Sequence, residues 1–259
     1  MHFISSKDNP LFKKIVKLEK SRERKKTGLF VIEGKKEVLM AIQNGYEITD
    51  LVVVENVLLR NSEVKILEKI PNKVTFATSL FNQIAYRKEL SECVAIAKIP
   101  NVDLESIKLS DKPLVVVLES VEKPGNLGAI LRTADACAAD AVIVCDALSD
   151  FFNPNVIRSS VGTVFCVNKA SAEKEDVKIW LEKNGFTVYT TFIENAKPYH
   201  QADFSGPNAI VLGTEAEGLT NFWRNPAHQN IVIPMRGQND SLNVSVAAAI
   251  IMMEARKHQ

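Results

Sequence analysis

The chain has 259 residues, of which 46% are hydrophobic and 24% charged, so a soluble globular protein of one large or two modest domains is expected and disorder is excluded as the default. Its longest apolar stretches, "LVVVLESV" and "VAAAIIMMEA", fall short of the ~20 residues a membrane helix needs, and the start "MHFISSKDNP" lacks the apolar core of a signal peptide; these features predict a cytoplasmic protein with no membrane partner. Formal net charge is +1, but residues 1–40 hold eleven Lys/Arg against five Asp/Glu while the remainder holds 21 against 26, so the basic face is N-terminal.

In chain order, "KKIVKLEKSRERKK" (13–26) carries the densest positive charge, with Leu11, Ile15 and Leu18 at helical spacing to pack one side. Lys13, Lys14, Arg22, Arg24, Lys25, Lys26 and Lys35 are the candidate phosphate-contacting cations; a solvated helix face explains the same run. "LFVIEG" reads as a strand, "KKEVLMAIQNG" as a helix closed by Gly45, "ITDLVVVEN" as a strand and "EVKILEKI" as a helix. "VTFATSLFNQIA" and "ECVAIAKIP" complete an α/β unit over residues 1–98. Residues 99–112 mix Pro, Asn, Asp and Ser with little periodicity and read as a linker.

From Pro113 to Gln259 the pattern restarts: strand "LVVVLES", a turn, helix "LGAILRTADACA", strand "AVIVCD", helices "PNVIRSSVGTVF" and "KEDVKIWLEKNG", strands "FTVYTTFI", "NAIVLGTE" and "NIVIPM", and a final helix. Five apolar strands with interleaved helices predict a largely parallel sheet covered on both faces. The four cysteines form no C-x-x-C pair, so neither a zinc nor a redox motif is indicated and buried thiols are expected.

Three segments, each following a strand, could carry chemistry: "EKPGNLGAILRTAD" (122–135), "GTEAEGL" (213–219) and "MRGQNDSLNVS" (235–245). In an open parallel sheet such segments can converge beyond the carboxyl ends of the strands. The first imitates a dinucleotide fingerprint with Asp146 as its acid, but G-x-x-G spacing with Pro124 and Asn126 at the turn denies a pyrophosphate the close backbone approach it needs. Arg132, on the helix that follows, is a fork of donors for a phosphate or a plain surface arginine. Gly213 and Gly218 around Glu215 fit a turn or a ligand lying on bare backbone. Ser241 reads as the N-cap of the final helix, which leaves Asn243 unexplained by capping.

Taken in order, "NLGAILRTAD", "IVLGTEAEGL" and "IVIPMRGQNDSLNVSVAAAI" resemble the three motifs of the SpoU (TrmH-like) branch of the SPOUT methyltransferases, and the resemblance covers residues 113–259. "SSKDNPLFKKIVKL" and "TGLFVIEGKKEVLMAI" look like the small ribosomal-protein-like α/β substrate-binding domain of many members, with Glu33 and Gly34 matching a recurring pair of structural or RNA-facing role. The resemblance implies a SPOUT domain with a parallel sheet and a deep C-terminal trefoil knot, S-adenosylmethionine as cofactor, no metal, a homodimer with its site near the subunit interface, and methyl transfer to a ribose 2′-hydroxyl. The implied substrate is structured RNA, ribosomal most often and transfer RNA sometimes; a noncatalytic RNA-binding protein on the same fold is the rival reading.

Carried over by position, Asn126 and Arg132 match the family's catalytic asparagine and arginine, Glu215 the glutamate of the second motif, and Ser241 and Asn243 its substrate-side and pocket residues. Backbone around Thr191, Leu212, Gly213 and Gly218 is implied to enclose the cofactor, together with Ile233, Met235, Leu242 and Val244. A guanidinium is effectively always charged, so Arg132 is expected either to act as the family's general base at a high cost or to remain a cation that holds a phosphate and stabilises the developing alkoxide.

Overall fold

A computed structural model of the chain describes residues 2–57, 70–86, 91–214 and 217–257. It divides into two compact units, residues 1–100 with 151–166, and residues 101–150 with 167–259. The helix expected over "EVKILEKI" lies outside the described residues apart from Ile70.

The first unit runs β1 (His2–Ile4), α1 (Pro10–Leu18), α2 (Ser21–Thr27), β2 (Leu29–Glu33), α3 (Lys35–Gln43), β3 (Ile48–Val54), β4 (Asn72–Phe76), α4 (Thr78–Phe81) and β5 (Cys93–Lys98). Its sheet has the order β1-β4-β3-β5-β2, parallel across β1, β4 and β3 and antiparallel at β5. Asn9 caps α1 through its side chain at 2.8 Å from the Leu11 amide, and Pro10 occupies the first turn, where its missing N–H costs nothing. The buried stripe of α1 is Phe12, Ile15 and Leu18 rather than one built on Leu11, and it packs with Val52, Phe76, Leu80 and Ile96.

Both faces of β2 are covered, which is why "LFVIE" is apolar without alternation. Val31 joins the α1 side, while Phe30 meets Phe152 at 4.6 Å between ring centroids, with Tyr46 and Phe165 around them. The segment Phe151–Cys166 therefore belongs to this unit, although its position in the chain had placed it in the catalytic half. It is also not one helix: the helix Pro154–Ser159 stops where Val161 and Gly162 take φ of 54° and 87°. A Cβ on Gly162 would sit 2.9 Å from the Met40 sulfur, so the turn also requires the small residue for space.

The second unit runs β6 (Leu114–Glu119), α5 (Pro124–Ala136), β7 (Ala141–Cys145), β8 (Asn168–Ala172), α7 (Lys174–Lys183), β9 (Thr187–Thr190), β10 (Lys197–Pro198), β11 (Asn208–Leu212), β12 (Gln229–Val232) and α8 (Val244–Lys257), with α6 denoting Pro154–Ser159 of the first unit. Its sheet, order β10-β12-β9-β11-β6-β7-β8, is parallel at every pairing. Val177 and Leu181 of α7 cover one face with Val115, Val117, Ile143 and Val211, while α5 and α8 pack together on the other, α8 over β6 and β11. Strand β8 adds an edge that the sequence pattern did not mark, because "NKASA" is too polar to read as a strand.

The expected linker is partly structured. Leu104 is buried in the second unit's core and Ile107 and Leu109 pack against it, so residues 101–112 are held by apolar burial rather than left as a free tether. At the other end, Arg256 on α8 donates to the carbonyls of Cys137 (2.8 Å) and Lys112 (3.2 Å) and pairs with Asp140 at 3.2 Å, fixing the last helix to the start of the unit. Among the described residues no helix is long and apolar enough to cross a membrane. Cys93, Cys137 and Cys145 are buried as expected of structural thiols, whereas Cys166 is exposed.

Candidate active site

Parallel pairing brings the carboxyl ends of four strands to one edge. Leu118 of β6 is level with Leu212 of β11, Val211 with Thr190 of β9, and Thr190 with Asn230 of β12. The three motif segments leave from β6, β11 and β12, so they converge on this edge, as an open α/β sheet requires of a ligand site.

The first segment turns sharply. Ser120 takes φ of 52°, an uncommon conformation for a non-glycine residue, and its amide bonds the Cys145 carbonyl at 3.0 Å. Pro124 then opens α5 and sets Asn126 on the first turn. The third segment ends at α8, where the cap is Asn243 and not Ser241. Asn243 Oδ1 accepts from the Ser245 amide at 3.0 Å and from Ser245 Oγ at 2.6 Å, and its carbonyl takes the Val246 and Ala247 amides at 3.0 Å each. Ser241 stays exposed, with its hydroxyl 3.3 Å from Asp240 Oδ1.

With its oxygen committed to the cap, Asn243 still has an amide to donate, and Nδ2 lies 3.1 Å from Asn126 Oδ1. Two site candidates 117 positions apart thus share one hydrogen bond. Asn126 and Val244 line a cavity of about 520 Å³ with Val121, Glu122, Lys123, Thr214 and Glu217, a size typical of small-molecule sites.

Glu215 lies outside the described residues, but the turn around it is defined. Thr214 and Gly218 exchange backbone hydrogen bonds at 3.1 Å each, Gly218 has φ of 69°, and the Glu217 amide bonds Thr214 Oγ1 at 3.0 Å. Gly213 is required for close approach: a Cβ there would stand 2.1 Å from the Gly218 carbonyl carbon and oxygen. Beneath the turn Glu119 is 1% exposed and accepts from the Thr220 amide at 2.8 Å and its hydroxyl at 2.6 Å. Glu119 was not singled out from the sequence because "LVVVLES" reads only as a strand end; its signal would have been a carboxylate in an otherwise apolar buried strand. Replacing Glu119 by Leu should strand the Thr220 amide and lower unfolding free energy by roughly 1–3 kcal/mol, with Glu119→Gln milder since an amide can accept from one group and donate to the other. Chemical denaturation of both variants checks this, and equal stability of all three proteins would remove Glu119 as the anchor.

Thr191 donates to the Val211 carbonyl at 3.3 Å and Thr190 to Asn230 Oδ1 at 2.7 Å, tying the ends of β9, β11 and β12. Leu212 is buried, Ile233 half-buried, and Met235 and Leu242 are 37% and 38% exposed. Between Arg236 and Leu242 the backbone makes no hydrogen bond to other described backbone groups, and all seven residues are exposed. Arg132 is exposed, has no ion pair among the described residues, and is not part of the cavity wall. Six residues of α-helix turn it by about 240° and raise it about 9 Å from Asn126.

Two other chemistries lose their residues. Asp146, the acid required by a dinucleotide site, pairs with Lys174 at 3.1 Å. The Cys145 thiol at the same edge is pushed well up by burial first and by the Asp146 and Glu119 charges second, which denies it a thiolate. Among the N-terminal cations, Arg24 is also withdrawn: it is 1% exposed and donates to the Leu18 and Glu19 carbonyls at 2.9 and 2.7 Å, capping α1. Lys13, Lys14 and Lys35 form ion pairs with Asp8, Asp50 and Glu92 at 2.8, 3.0 and 2.8 Å, while Arg22, Lys25 and Lys26 are exposed.

Comparison with known proteins agrees with this geometry. Residues 113–253 match the model of the SpoU rRNA Methylase family and residues 9–95 that of the MRM3-like substrate binding domain. The 23S rRNA (guanosine(2553)-2′-O)-methyltransferase RlmP of Bacillus subtilis is 29% identical over 256 residues, covering 99% of this chain and 100% of the relative. The AdoMet-bound rRNA methyltransferase of Sinorhizobium meliloti superposes with a TM-score of 0.90 at 30% identity, covering 99% of this chain and 97% of that one. The SpoU methyltransferase AviRb of Streptomyces viridochromogenes, solved with AdoMet, gives 0.88 at 27% identity over 96% and 97% of the two chains. With a matched domain spanning more than half its length and the three motif segments gathered at one sheet edge, the chain belongs to the SpoU rRNA methylase family.

Proposed function

We propose that this chain is an S-adenosylmethionine-dependent methyltransferase that modifies a ribose 2′-hydroxyl of ribosomal RNA, working in the cytoplasm as a homodimer. The observation that carries the proposal is the Asn243–Asn126 hydrogen bond, which joins the first and third motifs at the mouth of the cavity. The strand-end edge fits the cofactor on its own geometry: the absence of a side chain at Gly213 lets Gly218 pack directly on the end of β11, beside the cavity of about 520 Å³ lined by Asn126, Thr214, Glu217 and Val244, and the exposed strip 236–242 follows β12 in sequence. In the family's arrangement the last strand and helix pass through a loop to complete the knotted cofactor pocket, and the same threading is proposed here.

When bound, the cofactor supplies a methyl group already activated on a sulfonium, so no metal is required. The residues then have two tasks. Asn126, held by the Asn243 amide, orients the 2′-hydroxyl, and this positional work is worth up to roughly 7–11 kcal/mol in well-aligned reactions. Arg132 remains a cation that holds the neighbouring phosphate and stabilises charge on the 2′-oxygen as its proton leaves to water or phosphate.

Arg132 is exposed and does not line this cavity, and α8, which packs on α5, carries Val246 (46% exposed) and Met253 (50%) two turns apart. These exposed apolar side chains support a second copy docking on α8, with Arg132 of the adjacent helix α5 supplied across the subunit boundary. Arg22, Lys25 and Lys26, with the more loosely paired lysines of α1, provide sequence-blind phosphate affinity.

The test is methylation of ribosomal RNA isolated from a strain lacking the gene, using purified protein and labelled cofactor, followed by mapping of 2′-O-methyl sites. One new ribose methyl in ribosomal RNA is expected; label confined to transfer RNA would replace the substrate, and label in neither would overturn the enzyme reading. Truncation at residue 98 is a poor substitute, because it would uncover Phe152 and Phe165, which pack on Phe30 and Tyr46.

A further inference from the structure

The first unit contains a second cavity, of about 630 Å³, that the methyl-transfer chemistry does not use. Its wall combines Ile15, Val31 and Ile84 with Glu19, Glu33 and Gln83 from the sheet and helices, and with Tyr86, Asn153, Asn155 and Arg158. Tyr86 is 73% exposed, and the Arg158 guanidinium lies 3.7 Å from its ring centroid. Arg158 is itself fixed by Glu33 at 3.5 Å and by Asn155 Oδ1. The Glu33 of the recurring "EG" pair thus orients a cation that braces an exposed ring.

We propose that this cavity receives an unstacked nucleobase of the RNA substrate, which stacks on the exposed ring of Tyr86. An aromatic face backed by a guanidinium is a stacking platform for any base, and single-stranded loops are the parts of RNA whose bases can be splayed onto it. Around the ring, Asn153 has spent its oxygen on the Asn155 amide at 2.9 Å, and Gln83 has spent its amide on the Ser79 carbonyl at 3.0 Å. That leaves a donor on Asn153, an acceptor on Gln83 and the Glu19 carboxylate to meet a base edge. Two carboxylates in the wall disfavour a phosphate in the same place, so the cavity takes a base while the α1–α2 cations take the backbone. The site would hold the RNA at a nucleotide other than the one methylated, giving the enzyme a second sequence-contacting point. This inference rests on the RNA-methyltransferase reading.

The full-length protein would be titrated with a fluorescein-labelled 20-nucleotide RNA hairpin bearing a six-nucleotide loop, and with a fully paired duplex of equal length. Cofactor binding would be measured in parallel by calorimetry. Tyr86→Ala is expected to weaken hairpin binding about tenfold, the equivalent of ~1.4 kcal/mol, to leave duplex and cofactor affinities unchanged, and to be rescued by Tyr86→Trp. Hairpin affinity unaltered in Tyr86→Ala, with wild type binding RNA and cofactor, would overturn the base-pocket assignment alone. Equal weakening in Tyr86→Trp and Tyr86→Ala would also overturn it, since stacking survives the first change. Failure of the wild type to bind either RNA or cofactor would instead remove the function on which the assignment stands.

Discussion

Gly213→Ala should abolish measurable cofactor binding and lower the stability of the second unit, although it adds a single methyl group. The new Cβ would lie 2.1 Å from the Gly218 carbonyl carbon and oxygen and 2.3 Å from the Leu219 nitrogen. These are backbone atoms, so no side chain can rotate away, and relief requires the 214–218 turn to open. Opening breaks the paired Thr214–Gly218 hydrogen bonds and pulls on Thr220, which Glu119 holds from below. Overpacking alone costs about 1–3 kcal/mol in a well-filled interior, and each broken hydrogen bond adds roughly 1 kcal/mol. Calorimetry should show a loss of cofactor affinity of at least about a hundredfold, the equivalent of ~2.8 kcal/mol. Gly125→Ala provides the control: nothing lies within 4 Å of a Cβ there, the backbone is helical, and the change should leave affinity intact while stabilising α5 slightly. Wild-type cofactor affinity in Gly213→Ala would mean that the turn is no part of the cofactor cradle.

The contrast between these two glycines marks what a sequence can and cannot convey. Hydrophobic periodicity located β6, β7, β9, β11 and β12, and the order of strands with interleaved helices carried the parallel sheet and the convergence of its loops. What it could not convey was tertiary pairing. Phe152 and Phe165 look like the core of whichever domain surrounds them in the chain, and only their rings against Phe30 and Tyr46 assign them to the first unit. Arg24 sits in a run of cations, and nothing in that run says that its side chain turns back onto the last carbonyls of α1. Ser241 and Asn243 are both good N-caps by residue type. The helix begins two residues later than the serine required, and the asparagine both caps it and reaches Asn126. Glu119 lay unmarked at the end of an apolar strand because its role depends on Thr220, 101 positions away. Local pattern therefore specified the elements, whereas the residues that clamp the site were set by contacts over long separations.

Arg132→Ala and Asn126→Ala should each lose methylation by about 10²–10³-fold, the effect of deleting one preorganised transition-state donor, with cofactor affinity retained. The more informative result concerns mixtures. Arg132 projects from α5 about 240° around the helix from Asn126 and does not line the cavity that Asn126 enters. If it serves the neighbouring subunit, a heterodimer of Arg132→Ala and Asn126→Ala protomers contains one complete site, made from the Asn126 of the first and the Arg132 of the second, and one doubly defective site. Mixing two nearly inactive variants under conditions of subunit exchange should then restore activity to about a quarter of the wild-type level, because half of the dimers are mixed and each holds one working site. If both groups act within one chain, every site in the mixture lacks one of them and activity stays at the level of the single variants. Val246→Glu would place a charge in the exposed stripe of α8 and should suppress the restoration by preventing dimer formation, which light scattering would show directly. Restoration in a demonstrably monomeric sample would contradict the shared site, as would its absence in a sample shown to exchange subunits.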